Sequence, residues 1–450
     1  MTDDSRFSPL FLSLSSIAAC LILFATGAGT PLAKAAEAGA PPQAIATPGS
    51  AGVLSAIAAR LEQRGDHTRL LFEMSGTVRA EAFSVSGPDR IIVDLPEVAF
   101  RLDPATGRQA HEGRNDIPPI SLVKSYRFGQ FAPGRSRVVI DLARPAKVLR
   151  AESVERPEGA RLEIDLAPVD AAKFAEGAAE HARIAAAAPV IAPPAAPASG
   201  PDKAAQPLLP LVVIDPGHGG VDVGAASKHG ELEKAIVLEF ANALKAKIEA
   251  QGRLRVMLTR GEDVFIALDD RVRFARQRGA ALFISIHADT LGEANVQGAT
   301  VYTVASRASD AESARIAEKE NFADQAAGLE QKAYAEEIGD ILFDLTRRET
   351  RTLSRDFAAT LVSKWRDAGS LNKNPSRSAG FVVLKAHDVP SVLLELGYLS
   401  SEKDLANLTS ALWRDHAAQT TADAIAAYFS ARDHDATSAS RSAETASRPQ

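Results

Sequence analysis

The residues best suited to chemistry follow apolar runs of β-type sequence. Asp215-Pro216-Gly217-His218-Gly219-Gly220 follows one run, His287 follows a second, and Glu395 ends a third. Glu233 opens a helical pattern after the first run. If the runs are parallel strands, their carboxyl ends and the helix starts after them share the sheet edge where α/β proteins bind ligands. We therefore expect two histidines and two carboxylates to meet there.

Two histidines and one carboxylate are the donor set of an open zinc site, which leaves a fourth position for water. Zinc acidifies water and polarises carbonyl groups. Amide hydrolysis also needs a group that takes a proton from water and gives one to the leaving nitrogen. Either Glu233 or Glu395 can be this proton carrier, with the other as ligand, and the residue pattern does not separate them. The single cysteine, Cys20, lies in an N-terminal apolar stretch, so we expect no thiolate ligand.

Strand and helix patterns alternate around these residues. The apolar runs predict the strands Leu211–Ile214, Ala281–Ile286, Phe381–Leu384 and Ser391–Glu395. A helical period follows the first strand, from Glu233 to Ala250. The alternation predicts an α/β domain over residues 207–432, with a mostly parallel sheet and helices on both faces.

A second domain is predicted over residues 53–168, before the α/β domain. Four short segments with a shared pattern indicate strands; they begin at Arg69, Arg90, Arg137 and Arg161. Short strands at this spacing predict a small all-β sandwich. It carries no cluster of catalytic residue types, so we interpret it as a binding or targeting module.

The remaining segments differ from both domains in composition. Residues 1–35 have the apolar core and small-residue end of a secretory signal peptide, although acidic residues near the start leave a retained anchor as the alternative. Residues 169–206 are rich in Ala and Pro and predict a mobile linker. Residues 433–450 predict a disordered tail. The net charge of −6 gives no case for nucleic-acid binding, and no other run is long enough to span a membrane after processing.

Four motifs in the α/β domain carry a family resemblance. They are Asp215-Pro216-Gly217-His218 with the glycines and Asp222 that follow, Glu233-Lys234, Ser285-Ile286-His287-Ala288-Asp289, and Pro390-Ser391-Val392-Leu393-Leu394-Glu395-Leu396-Gly397-Tyr398. This set resembles the zinc-dependent N-acetylmuramoyl-L-alanine amidases of the cell-separation type (Amidase_3). Thr259-Arg260 and Arg271 also lie where that family has them. The strand pattern of the preceding domain resembles the AMIN domain, which helps to locate such enzymes at the cell wall.

The resemblance assigns roles that the residue pattern left open. It implies that His218, Glu233 and His287 bind Zn²⁺ and that Glu395 is the catalytic acid/base. The reaction would be hydrolysis of the amide between N-acetylmuramic acid and L-alanine in peptidoglycan, for septal wall splitting in the periplasm. Two alternatives are a zinc carboxypeptidase on stem peptides and a non-catalytic peptidoglycan-binding protein.

Further residues near these motifs have weaker assignments. We expect Asp222 and Asp289 to orient the histidines, although Asp222 can equally accept from the amides of the glycine turn. His387 is an alternative ligand.

Residues 307–349 form an insertion between strands. In regulated members of the family, an inserted helix puts a glutamate in the zinc's open position until a LytM-type activator displaces it. Glu320 is the candidate here, with Glu318 and Glu330 as alternatives.

Overall fold

The structure is a computed structural model that describes residues 53–103, 106–107, 121–187, 209–292, 296–329, 341–366 and 369–446. The predicted signal peptide, residues 1–35, lies outside this part of the chain, as do Cys20 and Glu330. The described residues all belong to one compact unit. Among them, no helix combines the length and the apolar character needed to cross a membrane.

The N-terminal domain is a β-sandwich of two sheets, as predicted. Its strands are β1 (Leu54–Arg64), β2 (His67–Met74), β3 (Glu81–Val85), β4 (Arg90–Pro96), β5 (Val98–Phe100), β6 (Val123–Ala132), β7 (Arg135–Leu142), β8 (Ala146–Arg156) and β9 (Gly159–Pro168). The five-stranded sheet has the order β5-β1-β2-β9-β8 and the four-stranded sheet has the order β3-β4-β7-β6. The four similar segments form two antiparallel neighbour pairs, β2 with β9 and β4 with β7. Their alternating apolar side chains, such as Phe72 and Ile140, fill the core between the sheets.

The segment predicted as a mobile linker begins with helix α1 (Ala171–Ala187) instead. Phe174 is buried, and His181 stacks on Phe83 with the ring centroids 3.7 Å apart. The prolines of the segment begin only at Pro189, so the Ala-rich part before them is free to be helical. Residues 188–208 lie outside the described chain.

The C-terminal domain is built on a six-stranded sheet. Its strands are β10 (Leu211–Pro216), β11 (Arg255–Leu258), β12 (Leu282–His287), β13 (Ala299–Val304), β14 (Leu371–Ala379) and β15 (Ser391–Glu395), in the order β11-β10-β12-β15-β13-β14. Every neighbouring pair is parallel except β13 with β15. The carboxyl ends of β10, β12 and β15 therefore lie at one edge, as the sequence predicts.

Helices cover both faces of this sheet. They are α2 (Glu233–Gln251), α3 (Leu268–Gln277), α4 (Ala311–Asn321), α5 (Ala323–Ala326), α6 (Ile341–Trp365), α7 (Glu402–Leu408) and α8 (Ala411–Ala446). Helices α2, α6 and α8 pack on the face that carries Ile214 and Ile284, while α3 and α4 pack on the face that carries Val213 and Phe283. Successive strand residues point to opposite faces, so both faces of the apolar strands are buried.

Two local predictions are wrong. Val382–Leu384 is a 3-10 helix rather than part of a strand, and the sixth strand is β14, which ends before it. Residues 433–446 continue α8 instead of being disordered, because they contain no Gly or Pro that would end a helix. The last part of the predicted insertion, from Ile341 on, belongs to α6.

Candidate metal centre

His218 lies just beyond the end of β10, in a backbone conformation that residues other than glycine rarely adopt. Its φ angle is +58°, in the left-handed region. Arg271 stabilises the turn, because it donates to the carbonyl oxygens of His218 and Pro216 at 2.7 and 2.8 Å. Arg260 donates to the carbonyl oxygens of Pro216 and Gly217 at 3.0 and 2.7 Å. Two buried arginines therefore fix the backbone that aims the His218 ring.

Asp215 ties this turn to the neighbouring strands. It accepts hydrogen bonds from Thr259 Oγ1 at 2.5 Å, Arg271 Nη1 at 2.8 Å and Ser285 Oγ at 2.8 Å. Ser285 Oγ also lies 3.2 Å from Nε2 of His287. No role was predicted for Asp215 or Ser285, although a polar residue within the apolar strand β12 is the signal that could have identified this network.

Glu233, the first residue of α2, is completely buried between the two histidine-bearing segments. Its Oε2 accepts from the Ala225 amide at 2.8 Å and its Oε1 accepts from the Ala288 amide at 2.9 Å. The same two oxygens lie 3.1 Å from His218 Nε2 and 3.2 Å from His287 Nδ1. Backbone amides thus hold the carboxylate where both rings can share it.

Four side chains direct ligand atoms into one small space: His218, Glu233, His287 and Glu320, with these atoms all within 4.8 Å of one another. Oε2 of Glu320 lies 3.1 Å from His287 Nδ1 and 3.4 Å from His218 Nε2. His218 Nε2 is buried and, although it lies close to the carboxylates of Glu233 and Glu320, it forms no hydrogen bond of normal geometry with any described residue, an arrangement that is costly unless a cation is bound there. Two imidazoles with two carboxylates are donors suited to a divalent metal ion.

The carboxylates also determine the charge of both imidazoles. Burial alone would lower the pKa of His287, but Glu320 and Glu233 raise it to about 10. Burial likewise opposes the charged form of His218, yet Glu233, Asp222 and Glu320 raise its pKa well above the usual range. Burial would raise the pKa of Glu233, but His218 and His287 together outweigh this effect and hold that pKa well below its usual range. The centre therefore stabilises positive charge between the two rings, as a divalent cation requires.

Two glycines leave the space that this arrangement needs. A Cβ atom on Gly217 would lie 2.6 Å from Nε2 of His287, and one on Gly224 would lie 2.6 Å from Oε2 of Glu233. Any side chain at either position would displace a metal-binding group. This explains why glycines occupy positions 217 and 224.

Asp222 contacts a histidine ring and also accepts from an amide of the glycine turn, the two roles that were considered for it. Its Oδ2 lies 2.9 Å from Nδ1 of His218, while its Oδ1 accepts from the Gly224 amide at 3.2 Å. A carboxylate at Nδ1 favours the tautomer in which Nε2 carries the lone pair. The Nε2 atom of His218 is the one that faces the centre.

Replacement of Asp222 by Asn tests this role. Asn keeps an acceptor for Gly224 but offers no charged acceptor to His218, so we expect the affinity for a divalent metal ion to fall by about 10–100-fold. Titration against a competing chelator measures the change. Asp270→Asn, which removes an exposed charge on α3, is the control. An affinity equal to that of the control would contradict the role of Asp222.

The prediction that Asp289 orients a histidine is wrong. In the described part of the chain its carboxylate pairs with Lys319 of α4 and accepts from the Thr290 amide, and it contacts neither histidine. The backbone amide of Asp289 donates to Oε2 of Glu395 at 3.0 Å. Asp289 therefore positions the Glu395 carboxylate and anchors α4.

Glu395 ends β15 directly beside His287 on β12. It is completely buried, and its Oε1 has no hydrogen-bond partner among the described residues. Burial raises the pKa of Glu395 well above its usual range; His287 opposes this shift, and Glu233 and Glu320 add to it. Of the two acids that the residue pattern left open, Glu233 thus lies within the donor group and Glu395 lies beside it.

Glu320 reaches the centre from the last turn of α4. It is 4% exposed, whereas the alternative Glu318 is exposed on the same helix and Glu330 lies outside the described residues. The space left beside the histidines is a cavity of about 10 Å³, no larger than a water molecule needs. Helix α4 therefore covers the centre and leaves no room for a substrate.

Polar contacts hold α4 in this position. Besides the ion pair of Lys319 with Asp289, Asn321 donates to the Gly380 carbonyl oxygen at 3.0 Å and accepts from the Val382 amide at 2.7 Å. Lys319 and Asn321, the two neighbours of Glu320, were not predicted to have a role.

His387, the alternative ligand, is not in the group. Its Nε2 lies 3.0 Å from Nη2 of Arg276.

Fold and centre together define an α/β protein with a buried metal-binding site at its strand ends, joined to a β-sandwich. Residues 58–166 match the AMIN domain, and residues 212–427 match the Amidase_3 family, N-acetylmuramoyl-L-alanine amidase. The chain is 31% identical over 395 residues to N-acetylmuramoyl-L-alanine amidase AmiC of Escherichia coli O6:H1, covering 84% of this chain and 90% of that protein. It is 36% identical over 220 residues to the amidase AmiA of Escherichia coli K12, covering 49% of this chain and 76% of that protein. The solved amidase AmiC2 of Nostoc punctiforme is 27% identical, covers 49% of this chain and 97% of its own, and has a TM-score of 0.35.

The chain belongs to the N-acetylmuramoyl-L-alanine amidases. It is an enzyme of the cell wall that hydrolyses the amide bond between N-acetylmuramic acid and L-alanine in peptidoglycan. The prediction of an amidase, rather than a carboxypeptidase or a non-catalytic wall-binding protein, is confirmed.

Proposed function

We propose that this amidase uses Zn²⁺ bound by His218, Glu233 and His287, with Glu395 as the proton carrier, and that Glu320 keeps it inactive until a partner withdraws α4. The observation that carries the proposal is the position of Glu320 Oε2, 3.1 and 3.4 Å from the two histidines. A carboxylate at this point takes the place that water needs for hydrolysis.

Zinc is the metal that fits the donor set, since two imidazoles and one carboxylate with an open position are typical of catalytic zinc sites. When bound, Zn²⁺ supplies Lewis acidity, which lowers the pKa of water and polarises the amide carbonyl group. The left-handed turn at His218, held by Arg271, supports one fixed direction for the Nε2 lone pair. Asp222 keeps the proton of that ring on the opposite nitrogen.

Glu395 is suited to move protons at this centre. The Asp289 amide fixes one of its oxygens, while the other, Oε1, is free to take a proton from the attacking water and give it to the leaving nitrogen. Burial holds the pKa of Glu395 well above its usual range, and a raised pKa favours a carboxyl group that must hold a proton before it passes it to the leaving nitrogen.

A partner is required because α4 covers the centre. The resemblance to regulated amidases points to a LytM-type activator. We propose that it captures the apolar residues at the start of α6, where Leu345 is 54% exposed. The β-sandwich would bind peptidoglycan and place the enzyme in the periplasm at the division septum.

Glu320→Ala tests the inhibitory contact. We expect the hydrolysis of purified peptidoglycan without activator to rise by about tenfold or more, because the space beside the two histidines opens and α4 loses its contact with them. Release of dye from labelled peptidoglycan measures the rate, and mass spectrometry identifies free stem peptides. Glu318→Ala, which removes an exposed carboxylate from the same helix, is the control. If both variants have equal basal activity and bind equal amounts of zinc, Glu320 is not the inhibitory residue.

A further inference from the structure

The four-stranded sheet of the β-sandwich docks on the α/β domain next to the metal-binding turn. Phe131 stacks on Phe265 with the ring centroids 5.7 Å apart, and the Gln130 carbonyl oxygen accepts from the Phe265 amide at 3.3 Å. Gly129 packs against the backbone of Gly220, where any Cβ atom would overlap. This first contact joins the sandwich to the segment that immediately follows His218.

The same sheet also contacts the inhibitory insertion. Arg127 Nε donates to the carbonyl oxygen of Ala326 at 2.8 Å, and Arg137 Nη1 donates to that of Ala327 at 3.0 Å. These oxygens lie at the end of α5, where helix carbonyls lack partners within the helix. Asp141 and Asp94 fix the two guanidinium groups with hydrogen bonds of 2.6 Å each.

Apolar packing strengthens this second contact. Gly328 has a φ of +78°, and a Cβ atom there would overlap the side chain of Ile92. One buried cluster combines residues from three parts of the chain: Val85, Ile92 and Val139 of the sandwich, Val221 and Phe265 of the α/β domain, and Ala327 of the insertion. The sandwich and the insertion therefore share a well-packed interface rather than a loose surface contact.

We propose that the four-stranded sheet of the β-sandwich is a docking surface for this chain's own insertion, and that it braces residues 322–329 so that Glu320 stays in the metal centre. Ala326 follows Glu320 by only six residues, and α4 and α5 are separated by Phe322 alone. This inference rests on the inhibitory role proposed for Glu320. It adds that the sandwich, besides any wall ligand it binds, takes part in inhibition.

The two contacts explain how a brace can act here. The first contact holds the sandwich to the part of the α/β domain that carries the ligand His218. The second contact holds the end of α5, which must move if α4 leaves the centre. If α4 leaves the centre and carries the following turn with it, the bonds from Arg127 and Arg137 must break or the whole sandwich must shift. Either change costs free energy and therefore opposes the departure of α4 from the metal centre.

The double variant Arg127→Ala with Arg137→Ala removes the brace in the zinc-loaded full-length chain. Both aspartates keep another partner, since Arg135 bonds Asp94 and Ser125 bonds Asp141, each at 2.8 Å. We expect hydrogen exchange of residues 311–329 and basal hydrolysis of peptidoglycan each to rise by about tenfold, because two charge-assisted hydrogen bonds to the insertion are lost.

The double variant Arg69→Ala with Arg161→Ala is the matched control in the five-stranded sheet. Arg161 bonds Glu73 at 2.9 Å and Arg69 pairs with Asp165, both within the sandwich. Here too the carboxylates keep partners, because Arg60 bonds Glu73 at 2.8 Å and Arg150 lies 3.5 Å from Asp165. We expect exchange in residues 311–329 to equal that of the unaltered chain.

The outcomes separate this inference from the one on which it rests. If Glu320→Ala raises basal activity while the Arg127/Arg137 variant matches its control in exchange and activity, the brace is wrong and the inhibitory residue stands. If Glu320→Ala has no effect, the inhibitory role is wrong whatever the arginine variants do. Should the arginine variant fail to fold, Gly328→Ala disturbs the interface from the side of the insertion. Unchanged exchange in that variant would equally overturn the brace.

Discussion

Replacing Glu395 by Gln is expected to reduce peptidoglycan hydrolysis by about 10²–10⁴-fold, the usual contribution of a general acid/base. Gln has nearly the same shape and can still accept from the Asp289 amide, but it cannot carry the proton to the leaving nitrogen. Because Glu395 lies beside the donor group and not within it, zinc content should not change. The loss therefore reports proton transfer alone.

The measurement needs an enzyme that is already open, so the variant is best made together with Glu320→Ala. Glu249→Gln, which changes an exposed carboxylate on α2, is the control. Release of stem peptides is followed by mass spectrometry and zinc by elemental analysis. Full hydrolytic activity of Glu395→Gln with zinc still bound would remove Glu395 from the mechanism and leave the proton transfer to another group.

Replacing His287 by Ala is expected to abolish both metal binding and activity. His287 supplies one of the two nitrogen donors, and its Nδ1 lies next to both Glu233 and Glu320. We expect the affinity for Zn²⁺ to fall by more than about 100-fold, beyond the loss of 10–100-fold expected for an outer partner such as Asp222. The two variants together give a graded series from an outer partner to a direct ligand.

His387→Ala is the matched control for this series. It removes the same side chain from the same domain, at a position whose ring contacts Arg276 outside the donor group. It should keep one zinc per chain and full activity in the Glu320→Ala background. Retention of zinc by His287→Ala, or its loss from His387→Ala, would show that the ligands are assigned to the wrong histidine.

Much of the metal centre could be predicted from the sequence because short-range patterns determine it. Apolar runs of four to six residues predict buried parallel strands, and the carboxyl ends of such strands meet at one edge. That rule alone brings His218, His287 and Glu395 together. Gly217 and Gly224 are needed because the backbone passes close to a histidine ring at both positions, and these glycines too are visible in the sequence.

The direction of side chains around the centre could not be predicted in the same way. Asp289 follows His287 by two residues, which suggested a partner for the ring, but its carboxylate meets Lys319 from another element. The position of Lys319 in turn depends on how α4 crosses the strand ends. A pair of charges between distant segments leaves no periodic signal in either of them.

The sequence by itself determined the two domains and the meeting of His218, His287 and Glu395 at the strand ends, because alternating burial acts within one element or between neighbouring strands. The reaction was implied by the family resemblance of the motifs that carry these residues. Only the tertiary structure decided that Glu320, rather than Glu318, enters the centre, and that the sandwich docks on the segment just after it. Those outcomes depend on the fit between surfaces far apart in the chain, such as Gly328 against Ile92 and Arg137 at the end of α5. Composition records that these residues are small, apolar or charged, but the partner of each is fixed only when the two domains pack.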